Sequence, residues 1–464
     1  MDWVAGFSRS VVFPLVMLKN GSRQPAYARE YQRSQFYSAE QIVGYQLARL
    51  KRLVAHAQRH CGFYRRHFRE AGLDDAAEIR SLRDLELLST LSKDALRECW
   101  EELVVPDPAA APMTENRTSG STGVPLRVLV NEDAMQHKAA LTARHNAWAG
   151  HRLGDRVGLV WGDIERPATL RGRLRAVLLD RMEVLDSQKL DEARMERFTE
   201  AVRHQGIRTL IGHAQPLCTY AGWIRDRGIE DLPVRAAIPT AMVLHPGQRA
   251  LLEEAFGAEV YERYGSEETS IIASECSAHR GMHIAAEGLI LEVLRDGRAV
   301  GPGEEGEIVV TDLVNYGMPL IRYQIGDVGV MSGEACPCGR GLPMIKRVNG
   351  RVADNIMTPD GRIVSGISIT DHIVEVEGIR QVQIVQESLD ELVFRIAKDS
   401  RFSASSEAVL RRHCARIFGE EMHIRCEFVD EIPVGPRGKY RLCMSELPQT
   451  LRVGTRHATR GKGH

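Results

Sequence analysis

The sequence has almost no excess of charge of either sign. Its 464 residues include 61 Lys and Arg against 62 Asp and Glu, which gives a formal net charge of −1. A near-neutral chain has no general electrostatic field that attracts DNA or RNA, so we expect no nucleic-acid partner. The hydrophobic fraction of 43% is typical of a soluble globular protein, and the length indicates two or more domains.

The chain also lacks a long uninterrupted hydrophobic run. The N-terminal stretch WVAGFSRSVVFPLVMLK is apolar, but Arg9 and Pro14 interrupt it and it is too short for a spanning helix. It has neither a basic start nor a small-residue cleavage site, which argues against a signal peptide. Two alternatives stay open: the segment packs on the protein body, or it makes a loose peripheral contact with a membrane surface.

Cysteine is too scattered for a disulfide framework. The nine cysteines are an odd number spread along the chain, which favours a reducing compartment and a cytoplasmic location. The sequence has no internal repeat with the period of a solenoid. Ordinary globular domains are therefore expected.

The pattern becomes helical from Ser38, and short strand-like segments alternate with helical ones from about Leu126 to Val310. Ser38 and Gln41 have the spacing of a capping box, and apolar residues then recur on one helical face. Strands are predicted at 157–161, 208–211, 234–238, 289–294 and 307–310, and helices at 191–206 and 247–257. This alternation predicts an α/β fold in which helices cover β-sheets.

A second region begins near residue 350. Strands are predicted at 381–385, 391–397 and 424–429, with a helix at 405–419. We therefore predict a large N-terminal domain at 1–350 and a small C-terminal α+β domain at 351–447. Residues 448–464 have almost no apolar side chains and are predicted to form a disordered basic tail.

One short segment has no side chain to bury. It consists of Thr118, Ser119, Gly120, Ser121, Thr122 and Gly123. The two glycines allow consecutive amides to turn towards one point, and the hydroxyls add donors, which together make an anion-binding concavity. The segment lacks the Gly-Lys-Ser/Thr of a Walker-type loop. It predicts phosphate binding, and a mobile Ser/Gly linker is the alternative.

This segment and four others resemble, in order, the motifs of the adenylate-forming superfamily, whose members activate carboxylates with ATP. The others are YERYGSEET (261–269), PLIRYQIGDVG (319–329), VNGRVADNI (348–356) and PVGPRGKYR (433–441). The helical region from about residue 45 is similar to that of phenylacetate–CoA ligases and the related capsular-polysaccharide ligase-like proteins. The resemblance implies a large adenylation domain and a small mobile C-terminal domain.

The resemblance implies roles for residues of the large domain. Tyr264, beside Gly265, is expected to stack on adenine. Glu268 is expected to hold Mg²⁺ against the phosphates, a task suited to a hard carboxylate oxygen. Asp327 is expected to accept hydrogen bonds from both ribose hydroxyls.

Further roles are implied near the domain junction and in the small domain. Arg351 is expected to contact the nucleotide, and Asp354 to form the hinge. Lys439 is expected to stabilise the charge that passes between the carboxylate and the α-phosphate.

The chain departs from the family pattern in three places. Val124 and Leu126 occupy positions where many relatives have Lys, and Arg127 is the nearest cation. Glu267 replaces the hydroxyl residue that usually precedes the metal-binding Glu, and PTAM at 239–242 replaces the usual strand end near adenine. A degenerate nucleotide-binding relative therefore stays an alternative.

Cysteines and histidines form a second group. The Cys-Pro-Cys-Gly turn at Cys336 and Cys338 resembles a zinc knuckle, and Cys276 with His279 or His283 would complete four ligands. The Gly-Met-His ending on His283 resembles zinc-bearing phenylacetate–CoA ligases, which favours His283. We predict a structural zinc ion. The alternative is that Cys276 is a small buried hydrophobic residue and His283 a surface histidine.

The implied function is an ATP-dependent ligase. It would form an acyl-adenylate from a small-molecule carboxylate, release pyrophosphate and transfer the acyl group to coenzyme A or another thiol or amine, in polysaccharide or secondary metabolism. An adenylyltransferase that leaves AMP on its substrate is the second alternative. The implied cofactors are ATP, magnesium and structural zinc, and both a monomer and a homodimer stay open.

The family's acid pocket would be lined here by four polar or aromatic residues. These are His145, Trp161, His213 and Thr240. Such a polar lining predicts a polar carboxylate, either sugar-derived or similar to an amino acid.

Overall fold

The structure consists of two units. The computed structural model of the chain describes residues 2–73, 78–105, 113–117, 126–162, 164, 169–187, 189–351, 355–360, 363–365, 376–432 and 443–447. Contacts divide the chain into two units, the first chiefly Met1–Leu244 with Gln248–Val348 and the second chiefly Asn349–Gly435. The predicted tail at 448–464 lies outside the described residues.

Helical elements fill the part of the chain before the first strand. They are α1 (Trp3–Phe7), a π-helical turn (Ser8–Val12), α2 (Phe13–Lys19), α3 (Gln24–Ser34), α4 (Ala39–His60), α5 (Gly62–Glu70), a 3-10 helix (Leu82–Leu87), α6 (Lys93–Glu98) and α7 (Trp100–Leu103). The capping box of α4 is confirmed, because the side chains of Ser38 and Gln41 bond each other's backbone amides. No helix of the described residues is long and apolar enough to cross a membrane.

A hairpin and a parallel sheet follow. Strands β1 (Thr114–Arg117) and β2 (Arg127–Val130) are antiparallel. The parallel strands are β3 (Val157–Trp161), β4 (Met182–Asp186), β5 (Thr209–His213), β6 (Ala236–Thr240) and β7 (Glu259–Val260), in the order β4-β3-β5-β6-β7. The accompanying helices are α8 (Glu132–Trp148), α9 (Leu170–Arg175), a second π-helical turn (Ala176–Asp180), α10 (Glu192–His204), α11 (Ala214–Asp226) and α12 (Pro246–Phe256).

The strand predicted at 157–161 is confirmed, whereas β5 and β6 extend two residues further than predicted. Both end in polar residues, His213 and Thr240, and both residues are buried. A parallel sheet is covered on both faces, so burial there does not follow the alternation of polar and apolar residues that marks a strand in the sequence.

The large domain also contains an eight-stranded sheet. Its strands are β8 (Arg263–Ser266), β9 (Ser270–Glu275), β10 (Met282–Ile284), β11 (Leu289–Arg295), β12 (Arg298–Ala299), β13 (Glu305–Asp312), β14 (Tyr323–Met331) and β15 (Met344–Arg351). Their order is β12-β11-β13-β14-β15-β10-β9-β8. The core under this sheet joins strand residues such as Ile308 and Val310 to helix residues such as Leu50 and Phe68.

The second unit has the predicted order of two strands, a helix and a strand. These elements are β18 (Ile379–Ser388), β19 (Glu391–Lys398), α13 (Ala404–Phe418) and β20 (His423–Phe428), joined by β21 (Cys443–Ser445) and the pair β16 (Asn355–Met357) and β17 (Ile363–Ser365). Phe394, Leu410 and Phe418 pack in its core. The predicted α/β class is confirmed.

Candidate functional site

The glycine–hydroxyl segment belongs to the connection between β1 and β2. Arg117 lies opposite Arg127 at the end of the hairpin, so the connection leaves β1 and enters β2 at neighbouring positions. Residues Thr118 to Gly123 lie outside the described residues. The hairpin stem is fixed to the next motif, because the Asn116 side-chain amide donates to the backbone carbonyl of Glu267 at 2.9 Å.

Arg127, the nearest cation to the segment, already has partners. Its guanidinium donates to Glu115 at 2.7 and 3.0 Å and lies over the Trp100 ring at 4.5 Å from the centroid. The Trp100 indole in turn donates to the Arg127 carbonyl at 3.0 Å. Arg127 thus stabilises the hairpin stem.

The two adjacent glutamates have different environments. Glu268 is buried, and its Oε1 accepts a hydrogen bond from the Tyr323 hydroxyl at 3.0 Å. Glu267 is exposed. Burial and the neighbouring Glu268 carboxylate raise the pKa of Tyr323 well above its ordinary value, so the phenol keeps its proton and donates. Glu268 is therefore held in place by a neighbouring side chain.

Tyr264 and Asp327 are in direct contact. The hydroxyl of Tyr264 on β8 donates to Asp327 Oδ2 on β14 at 2.7 Å. Together with the bond between Tyr323 and Glu268, this contact joins the motifs 261–269 and 319–329 twice.

These two bonds require a strongly curved sheet. Strands β8 and β14 are four positions apart in the strand order, which in a flat sheet would separate them by about 19 Å. The eight-stranded sheet therefore curls until β8 approaches β14. The curl brings the candidate adenine, ribose and magnesium residues to one place.

Gly265 has a backbone role in this arrangement. A Cβ atom at Gly265 would lie 2.7 Å from the backbone oxygen of Ser270, closer than real contacts allow. The turn between β8 and β9, which contains Glu268, can close only because residue 265 has no side chain.

Lys138 is a site residue that the sequence did not indicate. It is buried on α8, and its ammonium lies 2.9 Å from the Asp312 carboxylate and 3.3 Å from the Glu268 backbone carbonyl. The pair fixes the backbone that carries Glu268. Lys138 belongs to none of the sequence motifs, and it lies 130 residues from Glu268.

Three further predicted residues have no described side chain. Asp354 and Lys439 lie outside the described residues, and Arg351 is described only as the last residue of β15. Their roles stay predictions.

Three of the four predicted pocket residues lie at carboxyl ends of parallel strands. Trp161 ends β3, His213 ends β5 and Thr240 ends β6. The Trp161 and His213 ring centroids are 4.1 Å apart. The order of strands reverses between β3 and β5, which is where ligands bind in open α/β sheets.

His145 lies on α8 rather than at a strand end, and its place in the pocket stays a prediction. Its ring is fully buried on α8 and stacks on Trp148 at 4.1 Å between centroids. Burial, with the nearby Arg144 guanidinium, lowers the pKa of His145 well below its ordinary value. Trp148 also contacts His283, so His145 lies on the side of the cysteine cluster.

The predicted metal ligands form one tight cluster. The ligand atoms of Cys276, His283, Cys336 and Cys338 all lie within 4.8 Å of one another. The sulfurs of Cys276 and Cys336 are 3.7 Å apart, and His283 Nε2 is 3.2 Å from the Cys338 sulfur. Zn–S bonds of about 2.3 Å in a tetrahedron separate two sulfurs by about 3.7 Å. The donor set and its spacing fit zinc.

The surroundings of the cluster also suit a metal. Burial lowers the pKa of His283 to about 4, so its imidazole is neutral at pH 7. Its Nδ1 lies 3.3 Å from the Leu342 carbonyl, which leaves Nε2 for a metal. Burial opposes ionisation of Cys338, but hydrogen bonds from Arg340 outweigh it and lower the pKa of this thiol.

His279 lies outside the cluster. Its ring lies against Tyr261, and its Nδ1 is 3.4 Å from the Glu275 carboxylate. Between the two histidines that the sequence left as candidates, the geometry selects His283.

Comparison with known proteins identifies the family. Phenylacetate–coenzyme A ligase of Thermus thermophilus is 30% identical over 349 residues, which cover 72% of this chain and 75% of that enzyme. The chain belongs to the phenylacetate–coenzyme A ligase family. It is thus an adenylate-forming ligase, as its motifs predicted.

Three further comparisons show similarity to this chain. Protein CapK of Staphylococcus aureus is 22% identical over 383 residues, 79% of this chain and 81% of CapK. The family model of the CapK C-terminal domain matches residues 356–446. A crystal structure of 2-hydroxyisobutyryl-CoA ligase, in the postadenylation state with R3-HIB-AMP, has a TM-score of 0.70 at 21% identity and covers 91% of this chain and 92% of its own. This last likeness concerns the fold.

Proposed function

We infer that the protein activates a small carboxylate with Mg·ATP and transfers the acyl group to coenzyme A. A carboxylate oxygen attacks the α-phosphorus and pyrophosphate leaves. The thiol sulfur of coenzyme A then attacks the acyl carbon, AMP leaves, and the thiol proton goes to solvent. The observation that carries this proposal is the assembly of Tyr264, Glu268 and Asp327 beside the hairpin stem.

Each nucleotide-site residue has a chemical task in this proposal. The amides and hydroxyls of 118–123 bind phosphate oxygens, and Asp327 accepts from the ribose. Tyr264 is oriented by its bond to Asp327 and stacks on adenine. Glu268 would hold magnesium, which neutralises phosphate charge when bound. Arg351 contacts the nucleotide, Asp354 is the hinge, and Lys439 stabilises the charge at the α-phosphate.

The acid pocket is proposed at the strand ends. The indole of Trp161, the imidazole of His213 and the hydroxyl of Thr240 offer polar groups where β3, β5 and β6 end. Polar groups at a binding site favour a substrate that can hydrogen-bond to them. A polar acid, either sugar-derived or similar to an amino acid, is therefore proposed.

The cysteine cluster is proposed to hold structural zinc. Cys276 follows β9, His283 is on β10, and Cys336 and Cys338 lie between β14 and β15. Three thiolates and one imidazole fill a tetrahedral shell and leave no open position for a substrate. The ion would join these strand connections.

The test is ATP–pyrophosphate exchange with a panel of aryl, hydroxy, sugar and amino acids. Exchange with one class, followed by thioester formation on addition of coenzyme A, would support the proposal. AMP retained on the product would indicate an adenylyltransferase, and no exchange with any acid would indicate a degenerate relative. Glu268→Gln should abolish exchange, because Glu268 is buried at the proposed magnesium site. Glu267→Gln is the matched control, since Glu267 is exposed and should tolerate the substitution.

A further inference from the structure

Two helical segments of the large domain carry the most exposed large apolar side chains of the described residues. The first segment, residues 3–19, contains α1, a π-helical turn and α2, and the second, 170–180, contains α9 and the other π-helical turn. Among the described residues, the five most exposed large hydrophobic side chains, between 60% and 85% exposed, are Leu170, Leu18, Trp3, Leu15 and Leu174. All five lie on these two segments. We call this surface the apolar–basic patch.

The first segment is fixed in this orientation. Its small residues Ala5 and Ser8 are buried against the body, where Gly154 lies so close that a Cβ would come within 3.0 Å of the Ala5 carbonyl. Arg9 donates to the Leu153 carbonyl at 2.8 Å and to Asp155 at 2.6 Å. The segment thus packs through small and polar groups and leaves its large apolar side chains in solvent, the reverse of an ordinary surface helix.

The two segments form one surface. Their π-helical turns, Ser8–Val12 and Ala176–Asp180, pack against each other. The buried guanidinium of Arg181, directly after the second segment, pairs with Asp2 directly before the first. The exposed apolar residues Val11 and Val177 belong to these two turns. Continuous apolar surface of this kind marks an interaction site.

The patch is also basic. Residues 2–19 and 169–181 contain six Lys and Arg but only two acidic residues, Asp2 and Asp180. Both acids pair with arginines of the same region, Arg181 and Arg175. Lys19, Arg171 and Arg173 are exposed. The patch therefore combines an apolar surface with an excess of positive charge.

We propose that the apolar–basic patch binds the surface of an anionic lipid bilayer. Leucine and tryptophan side chains enter the boundary between headgroups and acyl chains, and Lys and Arg beside them attract anionic lipids. Binding between two copies of the patch would bring the basic excess of each against the other, which opposes self-association. The bilayer supplies both chemistries of the patch, an apolar layer and negative charge above it.

Co-sedimentation with vesicles tests this proposal on the full-length protein. Vesicles of phosphatidylglycerol and phosphatidylcholine in equal parts should bind it, and phosphatidylcholine alone should bind it at least about tenfold more weakly, because each cation near an anionic surface contributes about fivefold. Arg171→Gln with Arg173→Gln should reduce binding to the anionic vesicles only. Equal binding to both vesicles would overturn the electrostatic part of the proposal, and no binding to either would overturn it entirely.

Variants of the apolar residues provide the second test. Leu15→Glu with Leu170→Glu should lower vesicle binding by at least about tenfold, because a charge replaces an inserted leucine on each segment. Leu87→Glu is the matched control, since Leu87 is 58% exposed, close to the 60% of Leu15, but lies on the 3-10 helix. Unchanged circular dichroism would verify folding. Unchanged vesicle binding by the double variant would contradict the proposal.

Trp3 gives a local readout. The chain has five tryptophans, so brominated lipid should quench only a part of the fluorescence. That part should disappear in Trp3→Phe while sedimentation persists. Dimerisation that Leu15→Glu abolishes, without any lipid quenching of Trp3, would assign the patch to a second copy of the chain and overturn the membrane proposal.

Discussion

The Tyr264 hydroxyl donates a hydrogen bond to Asp327 Oδ2 at 2.7 Å, although 63 residues separate them in sequence. The bond joins β8 to β14 across the curl of the eight-stranded sheet. It orients the aromatic ring and the carboxylate that are proposed to hold adenine and ribose. The proposed nucleotide pocket thus has two of its side chains held in place by a bond within the protein.

Removal of this bond should weaken ATP binding. Tyr264→Phe keeps the ring but removes the donor, so Mg·ATP affinity should fall by about fivefold, the equivalent of about 1 kcal/mol. Asp327→Ala should cost more, at least about tenfold, because it also removes a charged acceptor for the ribose. Isothermal titration calorimetry measures both. The control is Tyr261→Phe, because the Tyr261 hydroxyl bonds Glu259 instead. An equal loss of ATP affinity in that variant would contradict a specific role of Tyr264.

The phosphate segment should depend on its backbone rather than on its side chains. Gly120→Val would place a branched side chain where the amides approach phosphate, so Mg·ATP binding should fall below detection by calorimetry. Ser119→Ala keeps every amide and should change affinity by less than about tenfold. Parent-like binding by Gly120→Val would mean that the segment is a linker.

Lys439 should matter for one half-reaction only. Lys439→Ala should slow adenylate formation by about a hundred- to a thousandfold, because one positioned electrostatic group is lost at the α-phosphate. Thioester formation from presynthesised acyl-adenylate should persist. Arg437→Ala, two residues earlier, is the control. Equal losses in both half-reactions would indicate a structural role.

Zinc content should follow the geometry of the cluster. Protein purified without chelator should contain about one zinc ion per chain by metal analysis. His283→Ala should lose it, whereas His279→Ala should retain it because its ring lies outside the cluster. Zinc retained by His283→Ala, or absent from the parent, would contradict the proposed site.

Buried histidines should make the protein sensitive to mild acid. Burial lowers the pKa of His137 to about 3, and burial also lowers that of His145. Below pH 6.5 the unfolded chain therefore binds more protons than the folded chain. The stability that each histidine contributes is complete above that pH and is lost on acidification, by about 1.4 kcal/mol per histidine for each pH unit.

Urea unfolding at pH 7.5, 6.5 and 5.5 measures this loss. His137 and His145 together make the free energy of unfolding fall as the pH falls. The His145→Gln variant should lose about half of this dependence of the unfolding free energy on pH. His423 is exposed, so the His423→Gln variant should keep the parent's change of unfolding free energy with pH. A flat pH dependence in the parent would show that the two buried rings do not govern it.

Local patterns predicted much of the fold. The capping box at Ser38 and Gln41 and the order of elements in the C-terminal unit depend on neighbours in sequence, and both were correct. The motifs around Tyr264, Glu268 and Asp327 also indicated residues that the structure brings together. In these cases the signal lies within a few residues of the feature.

Features that depend on distant contacts were not predictable. The curl of the sheet and the pair of Lys138 with Asp312 join segments far apart in the chain. The stacking of His145 on Trp148 likewise had no signal in the sequence. A helix pattern indicates which residues share a face and not which neighbour that face meets.

Two residues of the proposed nucleotide site and the proposed acid pocket belong to different sheets. Tyr264 and Asp327 are on the curled sheet, whereas Trp161 and His213 end strands of the parallel sheet. We therefore expect substitutions at 161 or 213 to leave the bond between Tyr264 and Asp327 intact. A gene duplicate could acquire specificity for a different carboxylic acid through substitutions at a few strand ends. Selection could meanwhile preserve the residues proposed for adenylation. For the enzyme engineer, the same separation makes those strand ends the positions to randomise first.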